Sequence, residues 1–154
     1  MSGMSVTEQR VAAAESREER VGLLAQAGTA ELVALADGCL ADGARLAVLV
    51  PPEVGCVATE VLEPVGHERF LLGDVLACRA EVELGGSRGW AMRLGDDRAA
   101  VLAAAVCDAE AEADRPMAGE VAALCHRVAQ RVAAAEAAEW AALAPTVVAF
   151  EELA

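Results

Sequence analysis

Arginine carries all of the strong positive charge in this sequence: the 12 Lys+Arg positions are all arginine. A guanidinium offers a planar fork of donors suited to carboxylate or phosphate. Five arginines, Arg69, Arg79, Arg88, Arg93 and Arg98, fall in the stretch "GHERFLLGDVLACRAEVELGGSRGWAMRLGDDR" (66–98). Without lysine there is no P-loop lysine, Schiff-base lysine or lysine general base. The two histidines, His67 and His126, offer little more. Cys125 and His126 are neighbours on one helical pattern, so their side chains point about 100° apart and make a poor nucleophile–base pair. Asp74, Asp96, Asp97 and Asp108 could in principle hold a metal ion. Turn, N-cap and solvated-helix roles account for them more simply. The five cysteines (39, 56, 78, 107 and 125) are widely spaced with no CxxC, so neither a disulfide framework nor a zinc ribbon is indicated and buried thiols are expected. No catalytic residue, metal ligand or cofactor is assigned.

Composition limits the classes further. Net charge is −13, which argues against non-specific nucleic-acid binding, since that needs phosphate neutralisation, while a local arginine patch could still bind an anion or an acidic partner. The opening "MSGMSVTEQR" lacks an apolar signal-peptide core, and no apolar run approaches the ~18 residues of a membrane span. A soluble, cytoplasmic protein is expected. Hydrophobic residues make up 56% of the chain but aromatics only 3%, so the core must be built from Leu, Val and Ala.

The elements that must position the arginines follow from capping and periodicity. Residues 1–15 read as a flexible leader, and 16–154 as one domain. Ser16 and Glu19 have capping-box spacing for a first helix, with Gly28 as its C′ residue. Thr29 would cap a second helix ending near Gly38 or Gly43, and the two form a helical hairpin. "RLAVLV" reads as a strand stopped by Pro51-Pro52, and "GCVATEVL" (55–62) as its hairpin partner. In 74–84, Leu76, Cys78, Ala80, Val82 and Leu84 alternate with Val75, Ala77, Arg79, Glu81 and Glu83. "GGS" turns the chain. Trp90, Met92 and Leu94 are then expected on the core face of the next strand. Ala91 and Arg93 fall on the other, which puts Arg79 and Arg93 on one open face. "GGSRG" lies between two strands, which makes it a hairpin turn rather than a phosphate loop. Asp96 or Asp97 caps a helix striped by Val101, Leu102, Ala105, Val106 and Ala109. A long helix from about Met117 to Leu143 follows, with the stripe Val121, Leu124, Cys125, Val128, Val132, Ala135, Ala142 and Leu143. "TVVAF" is a short extended tail. The class expected is α+β, with an N-terminal helical hairpin, a four-stranded antiparallel sheet and long C-terminal helices packed on one face.

On these residues the sequence resembles the PhnG family, the G subunit of the carbon–phosphorus lyase core complex. "ERFLLGDVLACRAEVEL", "GWAMRLGDDR" and "AAAVCDA" carry the likeness, with Arg69-Phe70, Gly73-Asp74, Cys78-Arg79-Ala80, Gly89-Trp90 and Leu94-Gly95 in the family's pattern. "REERVGLLAQAGTAELVAL" adds a weaker N-terminal match. The chain departs from the family where Cys78 replaces a usual Thr, Asp96 a usual Arg, and Ala149 an acid before Phe150; "EPVGHE" replaces a Gly-rich turn. The resemblance implies a subunit that joins the H, I and J subunits, the I subunit most directly. With an L subunit, the complex supports displacement of adenine from ATP by an alkylphosphonate. Methylphosphonate gives α-D-ribose 1-methylphosphonate 5-triphosphate. The nucleosidase chemistry is attributed to the I subunit, making G accessory.

Residue types and resemblance together make Arg69, Phe70, Arg79, Arg93, Arg98, Trp140 and Phe150 the candidate partner or ligand contacts. A second reading is a stand-alone binding protein or enzyme for a phosphorylated ligand, using Arg69, Arg79 and Arg93 as a patch. A third is a homodimeric module built on the long helix.

Overall fold

The structure, a computed structural model, describes residues 16–146. The expected leader and Phe150 lie outside them. Helix α1 (Arg17–Leu24) starts at the expected capping box: Ser16 Oγ accepts from the Glu19 amide at 3.2 Å, and Glu19 accepts from the Ser16 amide at 3.1 Å. Gly28 is not its C′ residue. It is the N-cap of α2 (Thr29–Leu40), its N–H donating to Glu31 at 3.3 Å. Thr29 is therefore the first helical residue, and its hydroxyl donates across to Asp97 at 2.6 Å. The two helices do not form a hairpin packed on itself; each rests on a later helix, α3 (Arg98–Glu112).

Three antiparallel strands, not four, form the sheet, in the order β1 (Leu46–Leu62), β2 (Arg69–Leu84), β3 (Ser87–Leu94). Pro51-Pro52 does not end a strand. The chain runs through both prolines, with register shifts between Val48 and Val50 and between Val50 and Glu53. Each shift inserts one extra residue on β1. A bulge on an edge strand needs no ladder donor from proline, so the feature that suggested a stop is absorbed. β2 likewise begins at Arg69 rather than Asp74. The Gly85-Gly86 turn, with φ of 57° and 88°, is the expected tight hairpin. Because β3 reaches only to Ala77, β1 and β2 continue beyond it as a two-stranded ribbon carrying exposed Leu62, Phe70, Leu71 and Leu72.

α3 covers the sheet face formed by Cys78, Ala80, Val82, Leu84 and Ala91, and its Val101, Ala104, Ala105, Val106 and Ala109 are buried against it. Gly89 sets the spacing. A Cβ added there would lie 2.0 Å from the Ala105 carbonyl oxygen and 2.6 Å from the Ala109 nitrogen. Helix α4 (Ala118–Leu143) buries Val121, Leu124, Cys125 and Val128, with Val132 partly covered. From Ala134 to Thr146 every residue is exposed, so Ala135, Ala142 and Leu143 are not part of the packed stripe. The chain ends its described part in a short 3₁₀ turn, Ala144–Thr146.

Candidate functional site

The Gly89 approach to α3 decides which face of β3 points where. Gly89 and Ala91 face the helix, so Trp90, Met92 and Leu94 point outward, the reverse of the expected assignment. Trp90 is 36% exposed and Leu94 78%. Arg93 consequently leaves the open face. It pairs in register with buried Cys78, whereas Arg79 pairs with Met92 on the outer face. Arg79 and Arg93 thus lie on opposite faces, and with Arg69 out on the ribbon the three do not form one anion-binding cluster.

Each candidate has a separate environment. Arg79 Nε donates to Glu53 at 2.6 Å across the β1–β2 pair, and this partner, more than the farther charges, raises the guanidinium pKa. Arg69 is 4.0 Å from Glu60, both strongly exposed, which makes a weak pair. Phe70 stands beside it on the exposed ribbon. Arg98 opens α3 and is exposed. Trp140 is 74% exposed on the uncovered part of α4. Arg93 donates through Nη1 to the Leu24 carbonyl at 2.9 Å, while its Nε is buried with no acceptor.

Asp108, expected on a solvated helix face, is fully buried and holds α1 to the open edge of β3. It accepts from Arg17 at 2.8 Å, from Arg20 at 3.0 Å and from the Trp90 backbone N–H at 3.1 Å. Arg17 also donates to the Arg88 carbonyl at 2.9 Å, so two backbone groups on the unpaired side of an edge strand, Trp90 N–H and Arg88 C=O, are satisfied by side chains. Glu110 is also buried. It accepts from Arg115 at 2.8 Å and from the Met117 amide at 2.9 Å, which ties the α3–α4 turn. The sequence did hold a signal for both. Asp108, Glu110 and Glu112 crowd the C-terminal end of α3, where the helix dipole disfavours anions unless cations meet them.

The thiols and histidines give no reactive pair among the described residues. Cys39 and Cys107 are buried in hydrogen-bonding contact, and that contact with burial pushes the Cys107 thiol far up. Burial raises Cys78 as well. A thiol held protonated is a poor nucleophile. Cys56 alone of the five is exposed, contrary to the expectation of buried thiols throughout. His67 lies in a turn at φ 54°, and His126 is exposed and bonded to Gln130 at 3.0 Å, facing away from buried Cys125. No three His, Cys, Asp or Glu side chains among the described residues converge as a metal site requires. No described helix is long and apolar enough to cross a membrane.

What the outer face does hold is a groove of about 920 Å³ between α1 and the sheet, floored by Val57, Val75, Ala77, Trp90 and Met92. With the ribbon and the end of α4 it makes apolar surface of the kind that marks interaction sites. The described residues form an α+β scaffold with dispersed arginines and uncovered apolar surface. The sequence model of the family described as phosphonate metabolism protein PhnG matches residues 15–154, and the chain belongs to that family. No curated protein matches it.

Proposed function

We propose that this chain is an accessory, non-catalytic subunit of the carbon–phosphorus lyase core complex, bound to the H, I and J subunits and most directly to I. In that role it supports displacement of adenine from ATP by methylphosphonate to give α-D-ribose 1-methylphosphonate 5-triphosphate. The family match over 15–154 carries the reading. Three exposed apolar features support a subunit role: the β1–β2 ribbon, the outer groove and the end of α4. The alternative, a free-standing binder of a phosphorylated ligand, is weakened by the separation of Arg69, Arg79 and Arg93 on different parts of the sheet.

Arg79 is the partner anchor in this reading, on an outer face beside Met92. Arg79→Ala removes only a solvent-screened pair with Glu53, so the thermal melt of the pure chain should be nearly unchanged. Retention of the chain on the immobilised I subunit should fall roughly tenfold or more. The same pure chain should release no adenine from ATP with methylphosphonate. Release that survives removal of contaminants would overturn the accessory assignment. An unchanged pull-down would reduce Arg79 to a surface ion pair.

A further inference from the structure

Two buried thiols meet where α2 packs on α3. Cys39 and Cys107, both almost fully covered, stand in hydrogen-bonding contact in the core. Ala36 lies one turn before Cys39 on the same side of α2, and Ala103 and Ala104 lie one turn before Cys107 on α3, all of them buried. Small residues let two helices approach closely, and thiols already in contact need only a short further approach to the S–S length of about 2 Å. Cys125 of α4 is also near enough to Cys107 to act on it electrostatically.

The two thiols are not equivalent. The hydrogen bond from Cys107 lowers the Cys39 thiol, against burial and the charge of Glu110 and with help from Arg115. The same bond and burial push Cys107 up. Cys39 is therefore the thiol that ionises first, and the thiolate is the attacking form. It lies in the last turn of α2, beside exposed Ala41, Asp42 and Gly43. A side-chain clasp holds this end: Asp42 accepts from Arg115 at 2.7 Å and from the Ala44 amide at 3.0 Å. Burial withholds the pair from catalysis in the closed state. Opening one helix end costs less than global unfolding and brings Cys39 within reach.

We infer that Cys39 and Cys107 are an oxidisable pair, joined by a small disulfide oxidant when the end of α2 opens, so that α2 becomes covalently locked on α3. The Cys39 thiolate attacks one sulfur of the oxidant RSSR, forming a mixed disulfide and releasing RS⁻. Cys107, deprotonated by that RS⁻, attacks Cys39 Sγ and expels the second RS⁻, which takes up the proton lost from Cys39. The protein loses two electrons and two protons, and the oxidant becomes two RSH. This inference stands apart from the phosphonate reading, because it concerns the pure chain.

The test uses the full-length chain carrying Cys56→Ser, since exposed Cys56 would react on its own. Five free cysteines less Cys56 leave four, and oxidised glutathione in native buffer should consume two of them. Peptide mapping should join Cys39 to Cys107. The melting midpoint should rise by ~5 °C or more, because the bond closes a loop on the order of 70 residues, and a reductant should reverse the rise. Cys39→Ala and Cys107→Ala should each abolish it; where either fails to fold, the peptide map decides. Asp42→Ala, which opens the clasp, should speed the bond about threefold or more. Glu31→Ala, which frees the far end of α2 from Arg131, should not. Four surviving thiols, a Cys107–Cys125 bond, or oxidation only in urea would overturn the proposal. Equal acceleration by Asp42→Ala and Glu31→Ala would overturn entry through the end of α2.

Discussion

Two residues fix how the sheet meets its helix. Gly89 is required because β3 and α3 approach closely enough that any side chain would enter the Ala105–Ala109 backbone. Flexible side chains cannot yield there, so Gly89→Ala should lower stability by roughly 3 kcal/mol or more, read as the urea midpoint. A midpoint within error of wild type would mean that the helix sits farther out. Asp108 is the second. Asp108→Asn keeps the shape but removes the charge facing Arg17 and Arg20, and should cost about 3 kcal/mol. The arginines are partly exposed, side chains 45% and 13%, which holds the loss at the low end for a broken buried pair. Arg17→Ala should cost less, since it is the more exposed of the two. Equal losses for the two variants would show that the network acts through Arg17 alone.

At the scale of elements, α3 begins at Asp97, which caps the helix by accepting from the Ala100 amide at 2.9 Å. The Thr29 hydroxyl, then the Ala100 amide, hold the Asp97 carboxyl below its usual pKa. The Ala44 amide, with Arg115 behind it, depresses Asp42, and Arg131 depresses Glu31. A folded pKa below the unfolded one means that stability is complete above the unfolded values, about 4, and is lost as pH falls through the lower folded ones. Melting temperature should therefore hold from neutrality to about pH 5 and decline below about pH 4. Thr29→Val removes the largest cause at Asp97 and should flatten the decline. A pH profile identical to wild type would show that the Thr29–Asp97 bond between α2 and α3 is absent in solution. The same bond explains why Thr29 is not a cap for its own helix: its hydroxyl is committed elsewhere.

For the whole molecule, the packed core and the exposed apolar surface lie in different parts. The packed body is the sheet base, α1–α3 and the first half of α4. The ribbon and the rest of α4 add exposed Leu71, Leu72 and Trp140 and half-exposed Phe70 and Leu143. A two-stranded ribbon without a third strand is marginal in water, and a largely uncovered helical end gains nothing from packing. Amide exchange should accordingly be fast at residues 60–72 and 134–143 in the pure chain and slow in 78–84 and 100–109. In the proposed subunit role, addition of the I subunit should protect at least one of the two fast regions. Uniform slow exchange in the pure chain would mean that both are already covered.

The sequence by itself determined what local chemistry can encode. The Ser16–Glu19 box, the Gly85-Gly86 turn, the 78–84 alternation, the α3 periodicity and that of α4 as far as Val132 each arise from residues a few positions apart, whereas Leu76, expected on the core face, is exposed and Ala77 is buried. The family likeness, carried by contiguous motifs, was legible for the same reason. Tertiary structure decided whatever depends on a distant neighbour. Pro51-Pro52 looks like a strand end until β1 proves to be an edge strand, where bulges are tolerated. Trp90 looks like core because it is large and alternates with Arg93, yet Gly89 must face α3, and a period of two then turns Trp90 outward and Arg93 inward. Asp108 looks solvated until Arg17 and Arg20, some ninety residues earlier, fold against it. Periodicity says which residues share a face, but only the packing partner says which face is buried.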